Sequence, residues 1–218
     1  MWGHNPEGQS PHPQLIHRQA GKRVSGRAYT VQELASLLPQ PIEILIVNKG
    51  GITFSGGEPL IQTDFVSKVI DLLPKVHICL DTSGFGQTLD FHKLVIRSDL
   101  VFFDLKSIEP RAHYYYTGLD NSIILKDLLL IEKMEKPYVI RVPLVPGVID
   151  KDDNLEVIAR NVQELAGLMR IDLFSNNLAA GKKYKSAGMA FQPEYDETQP
   201  VNLKRTLFDR AGIRVTVA

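Results

Sequence analysis

From about residue 30 onward, short apolar runs alternate with longer amphipathic stretches. The apolar runs are continuous, which is typical of strands buried on both faces of a parallel sheet. The clearest helical stretch is 153–167, where Leu155, Ile158, Val162 and Leu165 fall at spacings of three and four. Strands alternating with helices predict an α/β fold, either barrel-like or doubly wound. The predicted strands are 51–55, 76–82, 100–106, 138–145, 169–175 and 213–217, and the predicted helices lie near 63–73, 88–97, 121–135, 153–167 and 200–211.

The first 29 residues follow a different pattern. Their three prolines and four glycines are too closely spaced for a helix. At the boundary, Thr30 and Glu33 form a capping box ahead of Leu34, which predicts a helix start. We therefore expect an irregular amino-terminal arm over residues 1–29 and one domain over residues 30–218.

Charge and composition exclude several classes of function. Lys plus Arg and Asp plus Glu number 25 each, so no basic footprint for nucleic acid is present. No run of about 18 apolar residues exists and the amino terminus lacks a signal-peptide pattern, so we expect a cytoplasmic protein without a membrane span. The only cysteine, Cys79, excludes an internal disulfide and lies in an apolar run, where a buried, unreactive thiol is expected.

Polar residues gather where the predicted strands end. The carboxyl ends of parallel strands meet at one edge of a sheet, where α/β enzymes build their active sites. Alternate residues on a strand point to one side, so Asp104 and Lys106 should face the same region. The alternative is a pair of solvated surface charges. The strand-end residues are Ser55, Glu58, Asp81, Thr82, Asp104 and Lys106.

The stretch over residues 50–62 reads GGITFSGGEPLIQ. Two glycines after a strand let a ligand approach the backbone closely, and exposed amides and carbonyls beside a carboxylate suit a zwitterionic amino-acid group. The glycines alone favour an ordinary turn. The whole stretch, however, resembles the Gly-Gly-Glu-Pro motif of radical-SAM enzymes, in the longer form found in activases of glycyl-radical enzymes such as pyruvate formate-lyase.

Further motifs carry this resemblance along most of the chain. They are DTSG at 81–84, DLK at 104–106, YTG at 116–118 (where a helix is expected to open), IRVPLVPG at 140–147 and AGKKY at 180–184. The resemblance implies a partial, open parallel (β/α) barrel and S-adenosylmethionine (SAM) as cofactor. It also implies a [4Fe–4S] cluster, a glycyl-radical enzyme as protein substrate, and an electron donor such as flavodoxin or ferredoxin.

The resemblance also implies roles for individual residues. The glycine motif would cradle the amino group of SAM, and two cations would hold its carboxylate or neighbouring polar atoms. Three residues would line the sulfonium end, with room for a monovalent cation, and one would contact the nucleoside. For Arg141 the alternative is pairing with a structural carboxylate. The residues of the glycine motif are Gly56, Gly57 and Glu58, and the two cations are Lys106 and Arg141. The residues at the sulfonium end are Asp81, Thr82 and Asp104, and the residue at the nucleoside is Asn177.

The sequence departs from the family in the cluster loop. The family carries Cys-x3-Cys-x2-Cys before His-Asn-Pro, and three thiolates hold the cluster. Here His4-Asn5-Pro6 is present, but Gly3 occupies the position of the third cysteine. We therefore expect no cluster bound in the normal way and no other metal site. The chain is either a fragment or mis-started reading of an activase, or a degenerate descendant.

Two functions remain open. The chain is a radical-SAM activase in ancestry, inactive as written, or a SAM-binding pseudoenzyme that docks a partner without radical chemistry. An unrelated phosphate-binding barrel is disfavoured because no Walker-type loop exists. The resemblance further implies a barrel without its first strand, which would leave residues 51–55 at a bare edge. Poor solubility, or shielding by residues 1–29 or a second chain, is the expected consequence.

Overall fold

A computed structural model describes residues 28–175, 180–186, 190–193, 195–196 and 198–217. Six parallel strands form one open sheet in the sequential order β1 to β6, with helices in the connections. This architecture confirms the predicted α/β open parallel sheet. The strands are β1 Gly51–Phe54, β2 His77–Thr82, β3 Leu100–Asp104, β4 Tyr138–Leu144, β5 Leu168–Ser175 and β6 Val215–Val217. The helices are α1 Val31–Leu37, α2 Pro39–Val47, α3 Thr63–Leu72, α4 Thr88–Val95, α5 Pro110–Thr117, α6 Ser122–Lys133, α7 Asp152–Val162, α8 Ala180–Ser186 and α9 Arg205–Arg210, with a 3-10 turn at Pro59–Gln62.

The two faces of the sheet have different chemistry. One face packs on the helices and forms the hydrophobic core, with Leu80, Phe103 and Ile140 almost completely buried. The alternate residues lie on the other face, where the register aligns Asp81 with Phe102 and Asp104 with Arg141. Because neighbouring Cα partners point to the same side, the strand ends place charged groups in one row across β2, β3 and β4.

The predicted elements agree closely with the observed ones in the sheet. Each predicted strand has a counterpart within two residues at either end, and the Thr30–Glu33 capping box that starts α1 is present. The expectation that residues 116–118 open a helix is wrong. Tyr116 and Thr117 end α5, and Gly118 caps it at a φ of 71°, because glycine adopts the left-handed conformation that terminates helices.

The β1 strand forms one edge of the described sheet, as expected. Beside it α2 presents large exposed side chains, with Ile44 66% and Val47 82% exposed. On β2, Cys79 is 6% exposed, which confirms its predicted burial, and this burial raises the pKa of its thiol. Within the described ranges, no helix has the length and apolar character needed to cross a membrane.

Candidate functional site

The glycine turn after β1 presents bare backbone. Gly56 has a φ of 131°, a conformation that side chains other than glycine rarely adopt. Gly57 has no such requirement, and a Cβ built at either position meets no atom within 4 Å. Packing therefore gives no reason for glycine at position 57. Open backbone at the end of a parallel strand suits a ligand that approaches closely.

The carboxylate of Glu58 faces β2 and is held by four donors. Its Oε1 accepts from the Thr82 hydroxyl at 2.5 Å and from the Leu60 amide at 3.2 Å. Its Oε2 accepts from the Ser83 hydroxyl at 2.5 Å and from the Ser83 amide at 2.9 Å. The three bonds from Thr82 and Ser83 tie the glycine turn to the end of the neighbouring strand.

A charged row runs along the other face of the strand ends. The Ser55 hydroxyl donates to Asp81 Oδ2 at 2.8 Å, and the Arg141 guanidinium donates to Asp81 Oδ1. Arg141 also donates through Nε to Asp104 Oδ1 at 2.9 Å. Lys106 Nζ lies 3.7 Å from Asp104 Oδ2, so Asp104 and Lys106 do face one region.

Arg141 is the centre of this row. Its side chain is 25% exposed, and its guanidinium carbon lies 5.5 Å from the ring centre of Phe102 and 5.8 Å from that of Phe174. Burial acts to lower the pKa of Arg141, but the carboxylates of Asp104 and Asp81 outweigh it and raise the pKa. A cation already shared by two carboxylates is poorly placed to take a third, which favours the structural alternative for Arg141.

The remaining predicted site residues are placed differently. Thr82 is 2% exposed and directs its hydroxyl to Glu58, away from the charged row. Asn177 and Gly3 lie outside the described residues. No group of three or more His, Cys, Asp or Glu side chains suited to a metal ion occurs within the described ranges. The monovalent-cation role of Asp81 and Asp104 stays a prediction.

Sequence reasoning assigned no role to several residues that complete the site. Ser83 lies inside the quoted DTSG motif, and Phe102 precedes Asp104 by two positions on the same strand, so both could have been found from alternation and position. Beyond them on β5, Arg170 pairs with Asp172 through bonds of 2.7 and 3.1 Å. The register sets Asp172 beside Arg141, extending the charged face of the sheet.

The residues present fit the two expected cofactors unequally. Open backbone beside the charged row suits the amino-acid part of SAM. A [4Fe–4S] cluster requires about three cysteine thiolates, and the sequence contains one cysteine, buried in β2. The chain therefore does not supply the usual thiolate ligands for the cluster.

Comparison with curated proteins finds activating enzymes. The chain is 31% identical over 139 residues to the trans-4-hydroxy-L-proline dehydratase activating enzyme of Clostridioides difficile, covering 62% of this chain and 46% of that protein. It is 32% identical over 177 residues to the pyruvate formate-lyase-activating enzyme of Staphylococcus aureus, covering 77% of this chain and 70% of that protein. The chain thus spans about half the length of some relatives and more of others. No protein-family model matches the sequence.

Solved structures share the fold. A domain of a pyruvate-formate lyase-activating enzyme from Bacteroides vulgatus superposes with a TM-score of 0.61 at 24% identity, covering 78% of this chain and 99% of that one. A radical SAM methyltransferase from Sphaerobacter thermophilus gives a TM-score of 0.61 at 17% identity, covering 88% and 58%. The fold is thus of the radical-SAM type, and the chain belongs to the family of activating enzymes of glycyl-radical enzymes.

Proposed function

We propose that this chain binds SAM at the carboxyl ends of β1 to β4, as the cofactor-holding part of a radical-SAM activase that acts on a glycyl-radical enzyme. The observation that carries the proposal is the open Gly56–Gly57 backbone beside the charged row at the ends of three neighbouring strands. SAM has an amino group, a carboxylate and a sulfonium, and the site offers backbone carbonyls, cations and acids to match.

The carboxylate of SAM is assigned to Lys106. Arg141 is engaged by Asp81 and Asp104, so its role is to fix the two acids at the strand ends. Lys106 is 18% exposed and its Nζ lies 3.7 Å from Asp104 Oδ2, so it brings a second cation to the charged row, where a ligand carboxylate can pair with it. The amino group of SAM falls to the carbonyls of the glycine turn, and the nucleoside to the region of Asn177.

The chemistry of the family needs a cluster that supplies the electron for SAM cleavage. With one buried cysteine, we propose that these 218 residues alone do not cleave SAM. The same proposal includes a glycyl-radical enzyme as partner and an electron donor. It also includes the division of the chain into an arm of residues 1–29 and a domain of residues 30–218. Two features favour the second candidate, a SAM-binding pseudoenzyme. Gly3 stands at the sequence position of the third cysteine of the family, and the charged row is complete.

Calorimetric titration of the chain with SAM tests the binding proposal. Lys106→Met should weaken SAM binding by roughly tenfold or more, because a hydrogen bond to a charged group is lost. Lys93→Met is the matched control, since the Lys93 side chain pairs with Asp64 on the surface. Absence of SAM binding by the unaltered chain, or equal loss in both variants, would contradict the proposal.

Anaerobic iron–sulfur reconstitution separates the two candidates. The chain would be compared with a version carrying an upstream cysteine loop and Gly3→Cys, using iron content and electron paramagnetic resonance. Uptake of a SAM-responsive cluster only by the restored version supports an activase whose SAM site is sound. Cluster uptake by the chain as written would show that ligands exist which the sequence did not reveal. A restored version that binds SAM but no cluster favours the pseudoenzyme.

A further inference from the structure

The acid of the glycine motif has no acceptor capacity left for a ligand. A carboxylate offers about four lone-pair sites, and four donors occupy Glu58: two from Ser83, one from Thr82 and one from Leu60. A bound ammonium would have to displace one of these donors. The displaced donor would then lose its bond at a buried or half-buried place, because Thr82 is 2% and Leu60 4% exposed and Ser83 is half-buried.

Three of the four bonds, from Thr82 and Ser83, join two segments that are 24 to 25 residues apart in sequence, and the fourth, from the Leu60 amide, is local. On one side lies the Gly56–Gly57 turn, whose backbone has no packing partner at its Cβ positions. On the other side lies the end of β2, where Gly86 packs closely on Leu60. An open turn held at only one end would sample many conformations. The bonds to Glu58 remove that freedom.

We propose that Glu58 and Ser83 are positioning residues that latch the glycine turn to β2, and that the Glu58 carboxylate is not a ligand of the SAM amino group. The inference rests on the proposed SAM site. Ser83 supplies both its hydroxyl and its amide to one oxygen, and so sets the position of the carboxylate. The carbonyls of the turn, held in place by this latch, receive the ammonium.

Binding of two ligands separates a latch from a direct contact. SAM and an analogue lacking the α-amino group would be titrated into the chain, Glu58→Gln, Ser83→Ala and the double variant. A latch predicts that each single variant weakens both ligands by the same factor, roughly tenfold. Because both substitutions break one unit, the double variant should be no weaker than Glu58→Gln.

A direct contact between Glu58 and the amino group of SAM would give a different pattern of binding. If Glu58→Gln weakens SAM strongly and leaves the analogue unaffected, the carboxylate contacts the amino group and the proposal is wrong. Ser83→Thr retains the hydroxyl and should restore binding. Ser122→Ala is the matched control, because Ser122 also donates its amide and hydroxyl to one carboxylate, that of Asp120, away from the turn. Equal loss in Ser122→Ala would point to general destabilisation and overturn a local role for Ser83.

Hydrogen exchange of the unliganded chain gives an independent readout. Both Glu58→Gln and Ser83→Ala should speed exchange of the amides at positions 60 and 83, at the end of the glycine turn and the end of β2, which donate to Glu58, while β4 keeps its protection. Unchanged exchange at these two amides overturns the latch even where SAM binding is intact. Faster exchange at these amides, in a chain that binds no SAM, supports the latch and contradicts the proposed function alone, so the two failures are distinguishable.

Discussion

Two carboxylates, Glu58 at the glycine turn and Asp127 on α6, have opposite surroundings. Glu58 receives four hydrogen bonds from residues of the turn and of β2. Asp127 is 0% exposed, and neither of its oxygens has a hydrogen-bond partner among the described residues. Burial raises the pKa of Asp127 to about 6, and the nearby Thr88 hydroxyl and Lys126 charge offset only part of that rise.

The two carboxylates differ in whether hydrogen-bond donors surround them. A buried charge costs stability unless bonded partners compensate it. At the turn, the acid and its donors come from segments that converge on the proposed ligand site. On α6 the acid lies behind the sheet, against the start of α4, and nothing in the proposed function uses it. Glu58 should thus stabilise the fold and ionised Asp127 should destabilise it.

The largest expected effect is the loss of the latch. Glu58→Ala removes an acceptor shared by four donors, and should lower the free energy of unfolding by about 3–4 kcal/mol. Urea denaturation of the chain measures this change. Glu109→Ala is the matched control, because Glu109 accepts one amide bond at the start of α5 and its loss should cost about 1 kcal/mol. A cost for Glu58→Ala no larger than that of Glu109→Ala would refute the comparison.

Asp127→Asn tests the opposite case and should make stability less dependent on pH. The folded pKa of Asp127 lies above its usual value of 3.8, so the native state binds the extra proton and stability falls as pH rises from 3.8 to about 6. The free-energy advantage of the variant over the unaltered chain should grow by about 2 kcal/mol between about pH 4.5 and about pH 7.5.

Subtracting the unfolding free energies of the two proteins at each pH also cancels the contributions of other titrating groups. Burial lowers the pKa of His113 from 6.5, so its contribution is lost as pH falls from 6.5 through that lower pKa, the opposite direction from Asp127. Both proteins contain His113, and subtraction cancels it. Denaturant unfolding across this pH range is the measurement. A pH-independent difference between the two proteins would mean that Asp127 is not a buried, uncompensated acid.

The sequence could predict the strands of the fold better than its helices. The strands were predictable because a buried parallel strand is a continuous apolar run with little ambiguity. Three helices, α2, α5 and α8, were not predicted. The first two begin with a proline, Pro39 and Pro110, which reads as a break although the first turn of a helix accepts it. The third, Ala180–Ser186, covers the AGKKY stretch, which was interpreted only as a family motif.

The candidate site was predictable as a set of positions and not as a set of partners. Glu58, Asp81, Asp104 and Arg141 stood out by motif and by location at strand ends. The bonds from Ser83 to Glu58 and from Ser55 to Asp81 span 25 and 26 residues. Such pairs depend on how two loops meet in three dimensions, and no spacing in the sequence encodes that meeting.

The smallest expected effect is on self-association through the edge of the sheet. The groups without partners there are backbone amides and carbonyls and apolar side chains. The β1 edge and the exposed α2 residues Ile44 and Val47 form one unpartnered surface in the described structure. An edge strand without proline or charge favours pairing with other chains. Val47→Lys should therefore reduce concentration-dependent association measured by sedimentation velocity.

Leu89→Lys on α4 is the matched control for this edge variant. Leu89 is 80% exposed, close to the 82% of Val47, and lies on a helix that covers the sheet away from the edge. If exposure alone drives association, both variants should reduce it equally. If the edge drives it, only Val47→Lys should do so, because a charge next to β1 opposes the approach of a second strand. A monodisperse unaltered chain at high concentration would contradict both accounts.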